Sequence, residues 1–297
     1  MKSLLIILPL LLVIGCSKPI NYGLLVERDL VYYTKDKNKP YSGDMFSLDE
    51  NGEIEEEVTL KDGLVWNGKW SRYYENGEKK NEVNYKDGKE DGTWTRWYEN
   101  GQKSVEENYS DEKKHGKWTW WYENGEMKSE VNYKNGKKDG KWTGWHENGE
   151  NYYVKTYSEE KKDGKWTWWF ENGQKKDKGT YKDGKQVGLF TQWYENGQKK
   201  GEGKYKNGKG DGLQTDWYEN GLKQKEGTYK DGKDDGLFTE WYENGQKSFE
   251  GTYKDGKEDG LQTDWYRNGE KKSEGTFKDG ELVELIGMWN EDGSVKE

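Results

Sequence analysis

Cysteine is almost missing: Cys16 is the only one in 297 residues. A disulfide framework is therefore excluded. Hydrophobic residues are also few, 29% against 36% charged, a balance that on its own suits a chain with no packed core. Basic charge is not in excess: 49 Lys and Arg face 58 Asp and Glu, for a net charge of -9. Nucleic acid is disfavoured as a partner, because phosphate binding needs a basic stripe and here lysines alternate with acids, as in Lys86, Asp87, Lys89, Glu90 and Asp91. What the chain does have is aromatics. Its 17 Trp and 22 Tyr recur at fixed phase, which argues against disorder and makes the apolar mass aromatic, not aliphatic.

Trp97, Trp121, Trp145, Trp169, Trp193, Trp217, Trp241, Trp265 and Trp289 stand 24 residues apart. So do Gly77, Gly101, Gly125, Gly149, Gly173, Gly197, Gly221, Gly245, Gly269 and Gly293. A strict period of this length builds an array in which each unit leans on its neighbours. Within one unit, Asn100-Gly101 sits between two β-favouring runs and predicts a two-residue type I′ hairpin. That turn would pair Trp97 with Ser104 and Trp94 with Glu107. Alternation then puts Trp94, Tyr98 and Tyr109 on one face and Thr95, Trp97 and Glu106 on the other. Phe190 and Phe238 fall opposite Gly203 and Gly251, where a ring can cover bare backbone. The second connection, Lys86 to Gly92, is expected to be a longer loop. The fold class is thus all-β, an elongated array of antiparallel hairpins in an open sheet, twisted or coiled.

The N-terminus is built differently. Lys2 precedes an apolar run from Leu4 to Ile14, too short to span a bilayer but suited to a secretory leader. It ends in Val13-Ile14-Gly15-Cys16, which resembles the bacterial lipobox. The resemblance implies cleavage after Gly15 and acylation of Cys16, so residues 1–15 are expected to be a signal peptide. Several acyl chains on one residue anchor firmly. Ser17 after the cysteine implies the outer membrane or cell surface of the bacterial envelope. Residues 16–40 are expected to tether the anchor to an array over 41–297, with about ten or eleven repeats and degenerate ends.

The unit Tyr-Lys-Asp-Gly-Lys-x-Asp-Gly followed by Trp-Thr-x-Trp-Tyr-Glu-Asn-Gly resembles the bacterial variant of the MORN repeat, as found in YwqK-like proteins. Two loops depart from it by losing a glycine, at Ser110-Asp111-Glu112 and Ser158-Glu159-Glu160. The resemblance implies membrane-proximal scaffolding, and proteins with these repeats are commonly grouped as antitoxins.

No catalytic residue, metal ligand or cofactor site is assigned. The two histidines, His115 and His146, occupy places where other copies carry Asp or a ring, and the acidic loops lack the ligand alternation of a calcium loop. The candidate interaction surface is the row Trp97, Trp121, Trp145, Trp169, Trp193, Trp217, Trp241 and Trp265. Its mixture with Thr and Glu suits gripping a partner or stacking on a sugar, unless curling of the sheet buries it. The expected function is non-enzymatic: a membrane-anchored scaffold for an unknown protein, with a toxin as one version. The alternative is a binder of cell-wall or surface glycan.

Overall fold

The computed structural model describes residues 19–28, 31–34, 39–48, 52, 54–66 and 68–296. The leader and Cys16 lie outside the described residues. The chain is an all-β hairpin array, as its period predicts, and it divides into two units, 1–125 and 126–297.

In the first unit the strands Gly43–Leu48, Ile54–Lys61, Gly68–Tyr73, Lys79–Lys86, Lys89–Trp97, Lys103–Ser110 and Gly116–Trp121 succeed one another as an antiparallel meander. Ile20–Asn21 adds a parallel pairing to the first of them, Ile20 opposite Met45. Part of the stretch read as a tether is folded: Leu25–Arg28 and Val31–Thr34 form a separate two-stranded ribbon. It is tied down by backbone bonds from Tyr32 N to Gly63 O and from Tyr41 N to Tyr32 O, 2.8 and 2.9 Å long. Beneath it lies a small aliphatic core of Leu25, Met45, Val58 and Leu60, bordered by Tyr22, Tyr32, Tyr41 and Trp70. In a chain this polar, such a plug serves as a cap.

The second unit runs as an antiparallel sheet from Met127–Lys134 to Glu281–Met288. Its last strand is the most aliphatic, with Leu282, Val283, Leu285 and Ile286 all exposed.

The two turns of the repeat exchange the roles expected of them. Asn100 is not among the residues with positive φ, so the type I′ turn predicted at Asn100-Gly101 does not form. Gly101 N donates to Tyr98 O and Tyr98 N to Gln102 O, leaving Glu99-Asn100 as a type I turn followed by a left-handed Gly101 at φ 81. This three-residue loop shifts the register, and Trp97 faces Lys103, not Ser104; Trp94 still faces Glu107. Asn100 is held in the type I geometry because its Oδ1 accepts from Gln102 N, 3.0 Å away. The turn glycines from Gly77 to Gly269 take this bulge position, with φ between 79 and 91. The tight two-residue turn is at the other end of the hairpin, where Asp87 and Gly88 both have positive φ, 51 and 78, and Lys86 faces Lys89.

Both turns are stitched to the next repeat. Asn220 Nδ2 donates to Glu243 O (3.0 Å) and Tyr218 Oη to Trp241 O (2.7 Å), and the same pair of bonds recurs from Tyr194 and Asn196 and from Tyr242 and Asn244. At the opposite end Gly232 N donates back to Gly210 O and Gly256 N to Asp234 O. The motif Tyr-Glu-Asn-Gly is therefore a docking device between successive turns as well as a turn signal.

The two loops without glycine keep the left-handed pair, with Glu112 at φ 61 and Glu160 at φ 71. A left-handed residue with a side chain is strained by about 1–2 kcal/mol, less the backbone entropy that glycine would lose. Glu112→Gly should therefore raise stability to unfolding in urea by roughly 0.5–1 kcal/mol. Glu160→Gly should gain less, since Glu160 Oε1 accepts from Lys138 N at 2.6 Å.

Candidate interaction surface

Alternation sorts the side chains as the sequence predicts. On one face, each residue of the tryptophan row from Trp97 to Trp265 is half-buried. The rings are occupied from within. Lys79 Nζ lies over Trp97 at 5.6 Å from the ring centre, and Lys199, Lys223 and Lys247 lie over Trp217, Trp241 and Trp265 at 5.5, 5.6 and 5.7 Å. Each ammonium is held by a carboxylate three residues on, as in Lys79–Glu82 (2.6 Å), Lys199–Glu202 (2.7 Å) and Lys223–Glu226 (2.7 Å). A threonine on the facing strand steadies that carboxylate: Thr191 Oγ1 donates to Glu202 and Thr215 Oγ1 to Glu226, 3.2 and 3.0 Å away. Trp, Lys, Glu and Thr thus form one recurring unit, and this is why Thr and Glu share the tryptophan face. Burial pushes the Glu82 carboxyl up, but the bonds from Lys79 and Lys69 outweigh it and hold it below the usual range. The Lys271 ammonium does the same for Glu274. The unit lapses where the lysine becomes Met127 or Asn151, and where Lys175 meets Lys178 in place of an acid.

The opposite face carries a ladder of rings. In the second unit Tyr133, Trp142, Tyr157, Trp166, Tyr181, Phe190 and Tyr205 follow one another with centres 5.0–5.5 Å apart. Trp142 and Trp166 donate Nε1–H to Asn132 O and Thr156 O, so their polar edges are satisfied. Phe190 and Phe238 do face Gly203 and Gly251 in register, but their rings cover Gly179 and Gly227 on the other flanking strand. A β-carbon there would lie 2.1 Å from either ring, so both glycines are required. Burial raises the Tyr157, Tyr181 and Tyr253 hydroxyls on this face, and with the neighbouring Asp234 and Asp216 takes Tyr229 up to about 12.

Two features of this second face escape the sequence reading. Lys155 places its ammonium between Tyr153 and Trp168, 3.8 Å from each ring centre. Burial, with Lys162 and Lys138 nearby, lowers its pKa to about 8. Beside it, a cavity of about 250 Å³ opens between Trp168, Phe190 and Asp216 over a floor of Gly179, Gly201 and Gly203. Gln192 Nε2 donates to Asp177 Oδ1 (2.8 Å) at its wall. Burial raises the Asp216 carboxyl, against the pull of Lys225 and Lys200. The signal for both lay in departures from the repeat: Lys155 stands where the preceding copies carry Glu107 and Val131, and Gly201 where they carry Tyr153 and Asp177.

A family model described as MORN repeat variant matches residues 66–87, 90–111, 114–135, 162–183, 186–207, 210–231, 234–255 and 258–279. These segments make up more than half of the chain. The chain belongs to the MORN repeat variant family. The copy around Lys155, between 135 and 162, is not among the matched segments. No curated protein matches. Among solved structures, the crystal structure of TcdB2-TccC3 is 10% identical over 88% of this chain and 17% of that chain, with a TM-score of 0.20. That of TcdB2-TccC3-Cdc42 is likewise 10% identical, over 88% and 15%, with a TM-score of 0.18. The repeat chain thus spans under a fifth of the solved chains it matches.

Lys155 gives a pH test. Its folded pKa lies below the unfolded value near 10.5, so the cost of keeping it charged is fully present below pH 8 and disappears as pH rises toward 10.5. Lys155→Met should raise the melting temperature at pH 7, and the advantage over wild type should shrink between pH 8 and 10 in thermal melts of the two proteins.

Proposed function

We propose that this protein is a non-enzymatic lipoprotein, anchored to the bacterial envelope through Cys16, whose repeat array is a scaffold for protein–protein contact. The observation that carries this reading is the state of the tryptophan row. Lysines already sit on the ring faces of Trp97, Trp217, Trp241 and Trp265, which a sugar would need for stacking, and leave a ledge of paired charges over half-buried rings. A ledge of that kind suits the polar rim and aromatic anchors of a protein interface. An export signal conflicts with neutralising a cytoplasmic toxin, so an immunity role is directed at a toxin met in the periplasm or at the surface. The glycan reading draws its support from the cavity beside Trp168, where an aromatic wall meets Asp177 and Gln192.

The test uses the lipidated full chain in detergent, immobilised and exposed to solubilised envelope and to purified cell-wall glycan. A protein should be retained, and Trp193→Ala, Trp217→Ala and Trp241→Ala combined should reduce that retention at least about tenfold, the size of effect expected for lost aromatic anchors. Retention of glycan alone would replace this reading with the second. Cys16→Ser should move the protein to the soluble fraction and abolish labelling by fatty acid.

A further inference from the structure

One line of residues in the second unit obeys none of the repeat's rules. It runs straight across the sheet on the face of the ring ladder, each member directly opposite the next: Gly144, Tyr153, Trp168, Asp177, Gln192 and Gly201. It continues through Asp216, Lys225, Glu240, Phe249, Asp264 and Ser273. The adjacent line, on the other face, is a monotonous alternation of Thr191, Glu202, Thr215, Glu226, Thr239 and Glu250. The contrast has a physical meaning. Thr and Glu recur because each repeat needs the same bonds to hold its tryptophan unit. A position that changes from copy to copy, in copies otherwise nearly identical, carries no interaction that the array itself requires. Gly201, Lys225, Phe249 and Ser273, equivalent positions in successive copies, vary in this way and all fall on that one line and face.

We propose that this line is a recognition track, and that its occupant is an extended segment of a partner protein bearing lysine or arginine side chains, one of which enters the cavity between Trp168 and Asp216. The proposal rests on the scaffold reading and gives its partner a chemistry. Three observations carry it. First, the track carries the carboxylates of Asp177, Asp216, Glu240 and Asp264 against the single ammonium of Lys225; Asp177, Glu240 and Asp264 bond to Gln192, Lys225 and Ser273 along the track, while Asp216 lines the cavity. Second, the cavity lies on the track where Gly201 removes a side chain, and it has an aromatic wall on one side and a carboxylate on the other. Third, a side-chain ammonium fits against these rings, as that of Lys155 does 3.8 Å from Tyr153 and Trp168, and Asp216 in the cavity supplies the counter-charge missing around Lys155, whose charged neighbours are Lys162 and Lys138. The pitch also fits. Two strands span about 9.6 Å, and one turn of a polyproline II segment, three residues, spans about 9.3 Å. A cationic side chain at every third position would therefore meet the track once per repeat.

The test is fluorescence titration of the full chain in detergent with a peptide of Lys-Pro-Pro triplets, with the same peptide acetylated on every lysine, and with a cell-wall oligosaccharide. The cationic peptide should bind and shift tryptophan emission, more weakly at high salt, and acetylation should abolish binding. Trp168→Ala, Asp216→Asn and the cavity-filling Gly201→Leu should each weaken it about tenfold or more. Leu213→Ala, an exposed side chain on the other face, should leave it unchanged, and circular dichroism should show that every variant keeps its sheet. Equal binding of the acetylated peptide, or full affinity in Gly201→Leu, would overturn the proposal; so would oligosaccharide binding that Gly201→Leu removes, which would give the cavity to a sugar. If envelope protein is still retained by Gly201→Leu at wild-type level, the track is refuted while the scaffold reading stands; if the wild type retains no protein at all, the scaffold reading falls and the track with it.

Discussion

Hydrogen bonding from the turn of one repeat to the turn of the next is the constraint on which this architecture depends. A single-layer sheet has no second layer to bury its faces, and the described residues hold one aliphatic cluster, at the N-terminal cap. Strand pairing alone would leave the hairpin tips to fray. Instead the tips are tied in two lines. Tyr and Asn side chains donate to the following turn on one border of each unit, and the Asp-Gly amides donate to the preceding repeat on the other. Each bond contributes modestly, about 0.5–1.5 kcal/mol, but the same set recurs at every step and both borders carry one. Stability in such an array is a sum over neighbours, so what is kept in each copy is what holds neighbours together.

That division explains how the two faces differ. One face is closed on itself: indole, ammonium, carboxylate and hydroxyl satisfy one another in a unit that repeats with the turns. The other carries a ring ladder whose contacts are set by shape, with Phe190 and Phe238 seated on glycines. Next to that ladder the side chains change from copy to copy, and the bonds between them change with them, from Gln192–Asp177 to Lys225–Glu240 and Ser273–Asp264. It is there that the lysine between two rings, the raised carboxyl of Asp216 and the largest departures from the repeat are found. Function in a repeat protein is expected where the repeat stops constraining the residue, because the constrained positions are already committed to neighbours.

Much of this was legible in the sequence. The period gave the architecture, since Trp and Gly at 24-residue steps admit little else, and strict alternation placed Trp97 with Thr95 and Glu106. The turn assignment failed for an instructive reason. Asn-Gly favours a type I′ turn when only backbone preference is considered, but the Asn100 side chain is engaged twice, by Gln102 N within the turn and by Glu123 O in the next one. Both bonds lie beyond what a dipeptide preference can express, and the second exists only once the array is assembled. The reading of the tryptophan row met a similar limit. Whether a Trp beside Thr and Glu is buried or displayed depends on Lys79 and Glu82, which lie on a neighbouring strand. The track across the second unit needed the register across every connection, including the bulges that shift it between Gln192 and Trp193 and between Gly203 and Tyr205.

The central claim is that the hairpin tips are bonded from repeat to repeat. Amide hydrogen exchange at Gly208, Gly232 and Gly256 measures this most directly. These amides sit at solvent-facing turn tips yet donate to carbonyls of the preceding repeat, 2.9, 2.9 and 2.8 Å away. The account predicts that they exchange with protection comparable to strand amides of the same repeats. Exchange at the rate of an unstructured glycine, with the flanking strands still protected, would contradict it.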